Sequence, residues 1–171
     1  MLSEKLVKVI NSQINYEFYS ELVYLAMSAY CADQDLEGFA HFFRIQAEEE
    51  RFHAMKFYDY IIGTSERVML TGIPEPQNNY SSLLDVFKSA LEHEKSNTRN
   101  IYGIADIAMD ERNHATTSFL KWFIDEQVEE EALFTTLIKK LERIGDDSAA
   151  LYILDTELAA RVFTPPAATN V

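Results

Sequence analysis

The 171-residue chain is poor in residues that break helices, with five glycines and four prolines. It has one cysteine, Cys31. That excludes an internal disulfide framework and a thiolate-built zinc or iron–sulfur site within one chain. A lone thiol is compatible with a reducing cytosol. No stretch of about 18 uncharged apolar residues occurs, so no membrane-spanning helix is expected. Residues 1–8 contain no long apolar run, so no signal peptide is expected either. Positive charge is scarce: 15 Lys and Arg face 28 Asp and Glu, for a formal net charge of −13. Nucleic acid and anionic membranes both need basic surface, so neither is expected as a partner. The balance instead suits a chain that attracts cations. With 47% hydrophobic residues, the chain can bury a real core, and its length predicts one domain over residues 1–171.

The few glycines and prolines cut the chain into long blocks. Residues 3–33 contain neither, 33–38 look like a short turn ending at Gly38, and 39–62 are again free of both. Gly63 is placed to cap a helix end. Residues 64–81 hold Gly72, Pro74, Pro76, Asn78 and Asn79, and Ser81 or Ser82 then caps a third helix. Gly145 ends a fourth block, and Asp146 or Asp147 opens a short fifth one. The expected helices are 3–33, 38–62, 82–109, 112–143 and 147–161, followed by a tail over 162–171 that starts near Pro165 and Pro166. No strand-like alternation appears, so the class is all-α. A helix of about 26 residues is about 39 Å long, and 18 extended residues reach roughly 60 Å. The 64–81 connection can therefore run the length of a bundle. It makes the second and third helices parallel, which predicts an up-down-down-up four-helix bundle with one long crossover.

Each long block carries an apolar stripe of helical period, and each stripe is broken near its middle by a carboxylate. The first runs Leu6, Ile10, Gln13, Glu17, Ser20, Tyr24, Met27. The second runs Phe39, Phe43, Gln46, Glu50, His53, Phe57, Tyr60. The third runs Leu83, Phe87, Ala90, Glu94, Asn97, Ile101, Ile104, and the fourth runs Thr116, Leu120, Phe123, Gln127, Glu130, Phe134, Leu137, Leu141. One such break is an ordinary rim charge; four at matching depth are not. The spacing also repeats, since Glu17/Glu94, Glu50/Gln127, His53/Glu130 and Glu49/Glu126 all share an offset of 77 residues. The two halves thus place equivalent polar groups at equivalent heights.

Four carboxylates in an apolar interior cost several kcal/mol each if unpaired, and no Lys or Arg lies on the stripes. Protonation relieves part of that cost; two divalent cations neutralise all four charges. Oxygen donors with one imidazole suit iron, manganese or zinc. A carboxylate from each of two helices with Glu-x-x-His pairs from the others is the donor set of dinuclear carboxylate bundles. Here Gln127-x-x-Glu130 replaces one of those pairs. The two positions are then unequal, and the one lacking His53 has oxygen donors only and holds its metal more loosely. Glu126 and Glu129 form a second i, i+3 pair beside Gln127 and Glu130, and Glu49 adjoins Glu50. These three acids are placed to hold a third cation. Tyr24 lies on the stripe of Glu17, within hydrogen-bond or electron-transfer reach of a ligand. Trp122 reads as packing, Cys31 as a small buried residue, and His41, His93 and His114 as solvated or at a subunit contact.

On Glu17, Tyr24, Glu49-Glu50-x-x-His53, Glu94 and Glu126-Gln127-x-Glu129-Glu130, the chain resembles the bacterial non-haem ferritins. The stretch Gln46-Ala-Glu-Glu-Glu-Arg-Phe-His53 is typical of that family, and the likeness runs over essentially the whole chain, short fifth helix included. The resemblance implies a ferroxidase centre. Glu17, Glu50 and His53 would bind a first iron, and Glu50 would bridge to a second held by Glu94 and Glu130 with Gln127 nearby. Glu49, Glu126, Glu129 and Glu130 match the family's third iron site. It further implies a cytoplasmic homo-oligomer, a hollow shell of 24 subunits, that oxidises Fe²⁺ with O₂ or H₂O₂ and stores ferric mineral. Bacterioferritin differs in carrying a second Glu-x-x-His and a haem-ligating Met where this chain has Arg51, so haem is not expected. Rubrerythrin needs four cysteines, and mini-ferritins build their centre between subunits and lack the fifth helix. A non-catalytic metal-binding shell, another di-iron carboxylate oxidase and a metal-free helical interaction bundle are the competing readings.

Overall fold

Four of the five helices start at a side chain that accepts an otherwise unpaired backbone N–H. Ser3 accepts from Leu6, Ser82 from Asp85, Asn113 from Thr116, and Asp147 from Ala149 and Ala150. In this computed structural model, which describes residues 2–165, the helices are α1 (Glu4–Asp33), α2 (Glu37–Gly63), α3 (Leu83–Asp110), α4 (His114–Ile144) and α5 (Ser148–Ala159). No strand occurs among the described residues. Of the expected tail, residues 166–171 lie outside the described residues, Pro166 among them, as does Met1.

The helix ends correct one expectation. Gly63 is the last residue of α2 and not its left-handed cap. That conformation falls on Ser65 (φ 64°), and likewise on Asp35 after α1 (57°) and Arg112 after α3 (54°). Each of these turns is closed by backbone bonds back into the helix, such as Glu66 N–H to Ile61 O at 3.1 Å and Leu36 N–H to Cys31 O at 3.0 Å. The bonds offset the steric cost of a side chain at positive φ. Gly145 alone puts a glycine at positive φ after a helix, at φ 54° and ψ −125° following α4, outside the left-handed helical region.

Cross-helix contacts set the directions. Residues 13, 20 and 24 of α1 meet residues 97, 93 and 94 of α3, so these helices are antiparallel. On α2 and α4, Gln46 meets Glu130, His53 meets Trp122, and Tyr60 meets Thr116, again antiparallel. The turn at 34–36 makes α2 antiparallel to α1, so α2 and α3 run parallel. This is the up-down-down-up arrangement. The crossover is fastened along α1 by two asparagines one turn apart. Asn11 accepts from Met69 N–H at 2.6 Å and donates to Arg67 O at 3.1 Å. Asn15 accepts from Thr71 N–H at 2.8 Å and donates to Met69 O at 2.9 Å.

The core falls into two apolar clusters. One end holds Tyr24, Met27, Phe39, Phe42, Phe43, Phe87 and Phe134 with Leu154 and Leu158 of α5. The other holds Leu6, Ile10, Ile14, Phe57, Ile61, Ile101, Leu120 and Phe123. Between them lies a buried polar layer comprising Gln13, Glu17, Ser20, Gln46, Glu50, His53, Glu94, Asn97, Gln127 and Glu130.

Gly38, expected in a turn, sits inside α2 and serves another purpose. A Cβ there would lie 1.8 Å from the backbone oxygen of Asp155, so α5 docks where α2 has no side chain. Asp155 Oδ1 also accepts the Phe39 N–H at 3.0 Å. Gly38→Ala is expected to lift α5 off the bundle and cost about 1–3 kcal/mol, read as a lower denaturation midpoint with faster proteolysis after residue 145.

Candidate metal centre

The polar layer gathers one acid from each long helix. Ligand atoms of Glu17 (α1), Glu50 and His53 (both α2) all lie within 4.8 Å of one another, and His53 Nδ1 is 3.6 Å from Glu50 Oε2. Glu50 and His53 point together because i and i+3 share a helix face. Glu94 of α3 and Glu130 of α4 are buried in the same layer, but they join no such cluster of three among the described residues.

Neutral donors hold three of these acids. Gln13 Nε2 donates to Glu17 Oε1 at 2.7 Å, and Asn97 Nδ2 to Glu17 Oε2 at 3.2 Å. The Tyr24 hydroxyl donates to Glu94 Oε1, while Gln127 Nε2 donates to Glu94 Oε2 at 3.0 Å. Gln46 Nε2 donates to Glu130 Oε2 at 3.0 Å. Gln127 thus presents its N–H₂ to a neighbouring acid, and that nitrogen is a donor, not a metal ligand. Three of the four carboxylates are held by amides or a phenol. The fourth is bare: both oxygens of Glu50 are buried, and among the described residues neither has a hydrogen-bond partner.

Electrostatics follow from that burial. Removal from water pushes the Glu17 and Glu50 carboxyls well above their ordinary range; the charge of Glu50 adds to the rise of Glu17 against His53, and the charge of Glu94 adds to the rise of Glu50 against its contact with Glu17. Burial likewise raises Glu94, opposed by the Tyr24 and Gln127 hydrogen bonds. It pushes Glu130 up to about 8, aided by the charge of Glu94. The Tyr24 phenol is held far above its usual value by burial and then by Glu94. Carboxylates in this layer bind protons strongly unless another positive charge takes their place.

The outer acids are differently placed. Glu49 and Glu126 line one cavity of about 320 Å³ with Phe52, His53, Trp122, Val162, Phe163 and Thr164. Glu129 is exposed and not part of that lining. Glu49 is paired with Arg161, whose Nη2 lies 2.6 Å from Glu49 Oε2. Burial raises the Glu49 carboxyl, and Arg161 works against the rise.

Among the remaining residues, Tyr24 stacks between Phe43 (6.1 Å between ring centroids) and Phe134 (5.9 Å). Trp122 packs edge-on against His53 at 5.4 Å, with Lys56 Nζ 4.7 Å over its ring, so it braces the imidazole. Cys31 is fully buried. His114 is exposed, as expected. His93 is not: it stacks on Tyr16 at 5.3 Å, its Nε2 lies 2.7 Å from Ser20 Oγ, and burial lowers it to about 4. It faces α1, on a flank of α3 that the core stripe does not include. His41 is half-buried, with Nε2 2.8 Å from Arg161 O. Gln13, Gln46 and Asn97 were legible as stripe positions, but their task of orienting carboxylates was not. An amide three or four residues from an acid on one stripe was the available signal.

The ferritin-like domain family model matches residues 7–144, a segment that contains every acid of the layer. The chain belongs to the ferritin family. It is 49% identical to the bacterial non-heme ferritin of Staphylococcus saprophyticus over 163 residues, covering 95% of this chain and 98% of that one. Identity to the Staphylococcus haemolyticus protein of the same description is 48% at the same coverage. Among solved structures, an Archaeoglobus fulgidus ferritin engineered into a closed form superposes with a TM-score of 0.94 at 43% identity, over 96% of this chain and 100% of that one. A humanized archaeal ferritin gives 0.95 at 42% identity and the same coverage. In this ferritin-family chain, α5 and Arg161 lie beyond the segment that the family model matches.

Proposed function

We propose that the chain stores iron and oxidises it on entry, as a ferroxidase with an intrasubunit dinuclear centre. Family membership supports iron storage. The observation that carries the catalytic reading is Glu50, a carboxylate buried at mid-bundle with both oxygens unpaired. Hard oxygen donors with one imidazole fit iron. In this reading Glu17, Glu50 and His53 hold one ferrous ion. Glu50 is shared with a second, held by Glu94 and Glu130. Iron is the substrate and gives up one electron per ion, with O₂ or H₂O₂ as acceptor. The carboxylates favour the harder ferric ion and so promote oxidation. Gln13, Asn97, Tyr24, Gln127 and Gln46 keep the acids in place. Glu49, Glu126 and Glu129 form an outer cation position toward which iron moves.

Ferric mineral then collects inside a hollow homo-oligomer of 24 subunits, without haem, in a cytoplasm reducing enough to keep Cys31 a thiol. The cavity beside His53 carries two carboxylates, Glu49 and Glu126, which supports passage of cations over binding of an organic substrate. Replacing the one imidazole tests the asymmetry. His53→Ala is expected to weaken one of two tight Zn²⁺ positions per chain in calorimetric titration, sparing the other, and to slow Fe²⁺ oxidation by about 10–100-fold. Equal weakening of both positions contradicts the assignment.

A further inference from the structure

The segment after α5 turns back along α2 and is held there at three successive points. The Arg161 carbonyl meets His41 Nε2 at 2.8 Å. Its guanidinium carbon lies 4.6 Å over the Phe42 ring. Its Nη2 reaches Glu49 Oε2 at 2.6 Å. Two residues on, Phe163 packs edge-on against Phe52 at 5.7 Å. Val162, Phe163 and Thr164 then wall the cavity that reaches His53, Glu49 and Glu126. The docking of α5 at Gly38 anchors this segment upstream. A guanidinium therefore sits on one of the acids of the outer position, and it comes from the same chain.

The fit is incomplete. Arg161 engages Glu49 through one terminal nitrogen, while Nη1 is buried with no partner among the described residues. A guanidinium that binds a carboxylate well uses two parallel N–H bonds. A single bond with a stranded second donor is the geometry of a displaceable occupant. A divalent ion and a guanidinium on the same carboxylate repel each other, so each weakens the other's hold on Glu49.

We propose that Arg161 is a tethered cation that competes with metal ions for Glu49, so that residues 161–164 govern filling of the outer position. This rests on reading Glu49, Glu126 and Glu129 as that position. Metal arriving from the dinuclear centre must displace the guanidinium, and the segment then detaches from the cavity mouth. Occupancy of the outer position thus follows local metal concentration with a threshold set by the chain itself.

Zn²⁺, which is redox-inert, provides the test on the assembled protein. Calorimetry should find a weak third Zn²⁺ per chain in the parent, at least about tenfold tighter in Arg161→Gln, the factor expected for one charge-assisted bond. Arg161→Lys, which keeps the charge, should stay near the parent. Glu126→Gln placed in Arg161→Gln should abolish the third ion. If Arg161→Gln leaves the third ion unchanged while Glu126→Gln removes it, the outer position stands and the competition is wrong. If no third ion binds to any variant, the outer position fails and the competition with it. If Arg161→Lys tightens the third ion as much as Arg161→Gln does, packing and not charge is responsible, and the proposal is overturned. A measurement on the parent protein needs no variant: backbone hydrogen exchange at 160–164 should accelerate once Zn²⁺ exceeds two equivalents, and unchanged exchange refutes the displacement.

Discussion

Glu50→Gln is expected to make the metal-free protein more stable and to make it nearly inactive. Glu50 has both oxygens buried and unpaired, close to Glu17 and His53. In the absence of metal, that carboxyl either ionises at a high desolvation cost or holds a proton far above its usual range. Glutamine has the same shape and carries no charge. Its N–H₂ faces Glu17, an acceptor. The metal-free variant should gain about 1–3 kcal/mol at pH 8, seen as a higher denaturant midpoint with unchanged slope. The amide cannot serve as an anionic bridge between two ferrous ions, so Fe²⁺ oxidation should fall by at least about 100-fold in stopped-flow absorbance, beyond the loss typical of a supporting residue. Opposite signs for stability and activity distinguish a functional acid from one that merely tolerates burial. A variant that is less stable and still active would remove Glu50 from the centre.

The second large effect is a pH dependence that reverses on adding metal. Burial raises Glu17, Glu50 and Glu94, and lifts Glu130 to about 8. A group whose folded pKa lies above its unfolded value contributes stability fully below the unfolded value. That contribution is lost as pH rises through the folded one. The window for Glu130 therefore opens near the ordinary glutamate value, about 4.3, and closes near 8. The metal-free protein should lose on the order of 2–5 kcal/mol between pH 5 and pH 8. Zn²⁺ binds the deprotonated acids and releases their protons, so its stabilisation should be small at pH 5 and large at pH 8. Denaturant titrations at the two pH values, with and without Zn²⁺, read both halves. A metal-free protein as stable at pH 8 as at pH 5 would mean that the acids reach solvent.

The parts legible in the sequence were those with a period. Broken stripes at Glu17, Glu50, Glu94 and Glu130 located the polar layer because a helix interior repeats every three to four residues. The shared 77-residue offset set the four breaks at one height. Scarce glycine and proline located the helices to within a residue or two, and the length of the 64–81 segment gave the parallel α2–α3 pair. What stayed hidden lacks a period. Asn11 and Asn15 look like a solvated face until the crossover lies along them. His93 sits one residue from Glu94, on a flank of α3 that faces Tyr16 and Ser20 of α1. Gly38 resembles a turn glycine, yet its role depends on an approach by Asp155. Arg161 reaches Glu49 across 112 residues of chain, and only the docking of α5 brings them together. Gln13, Gln46 and Asn97 are amides on core stripes, and their partners on other helices appear only once the bundle is assembled.

Positive charge from paired metal ions is expected to hold the four acids at mid-bundle. Anomalous-difference maps from crystals soaked anaerobically in ferrous salt test it most directly. Two iron peaks are expected in the polar layer, one touching Glu17, Glu50 and His53 and the other touching Glu50, Glu94 and Glu130. A layer without iron, with Glu50 still unpaired or turned out to solvent, would contradict it.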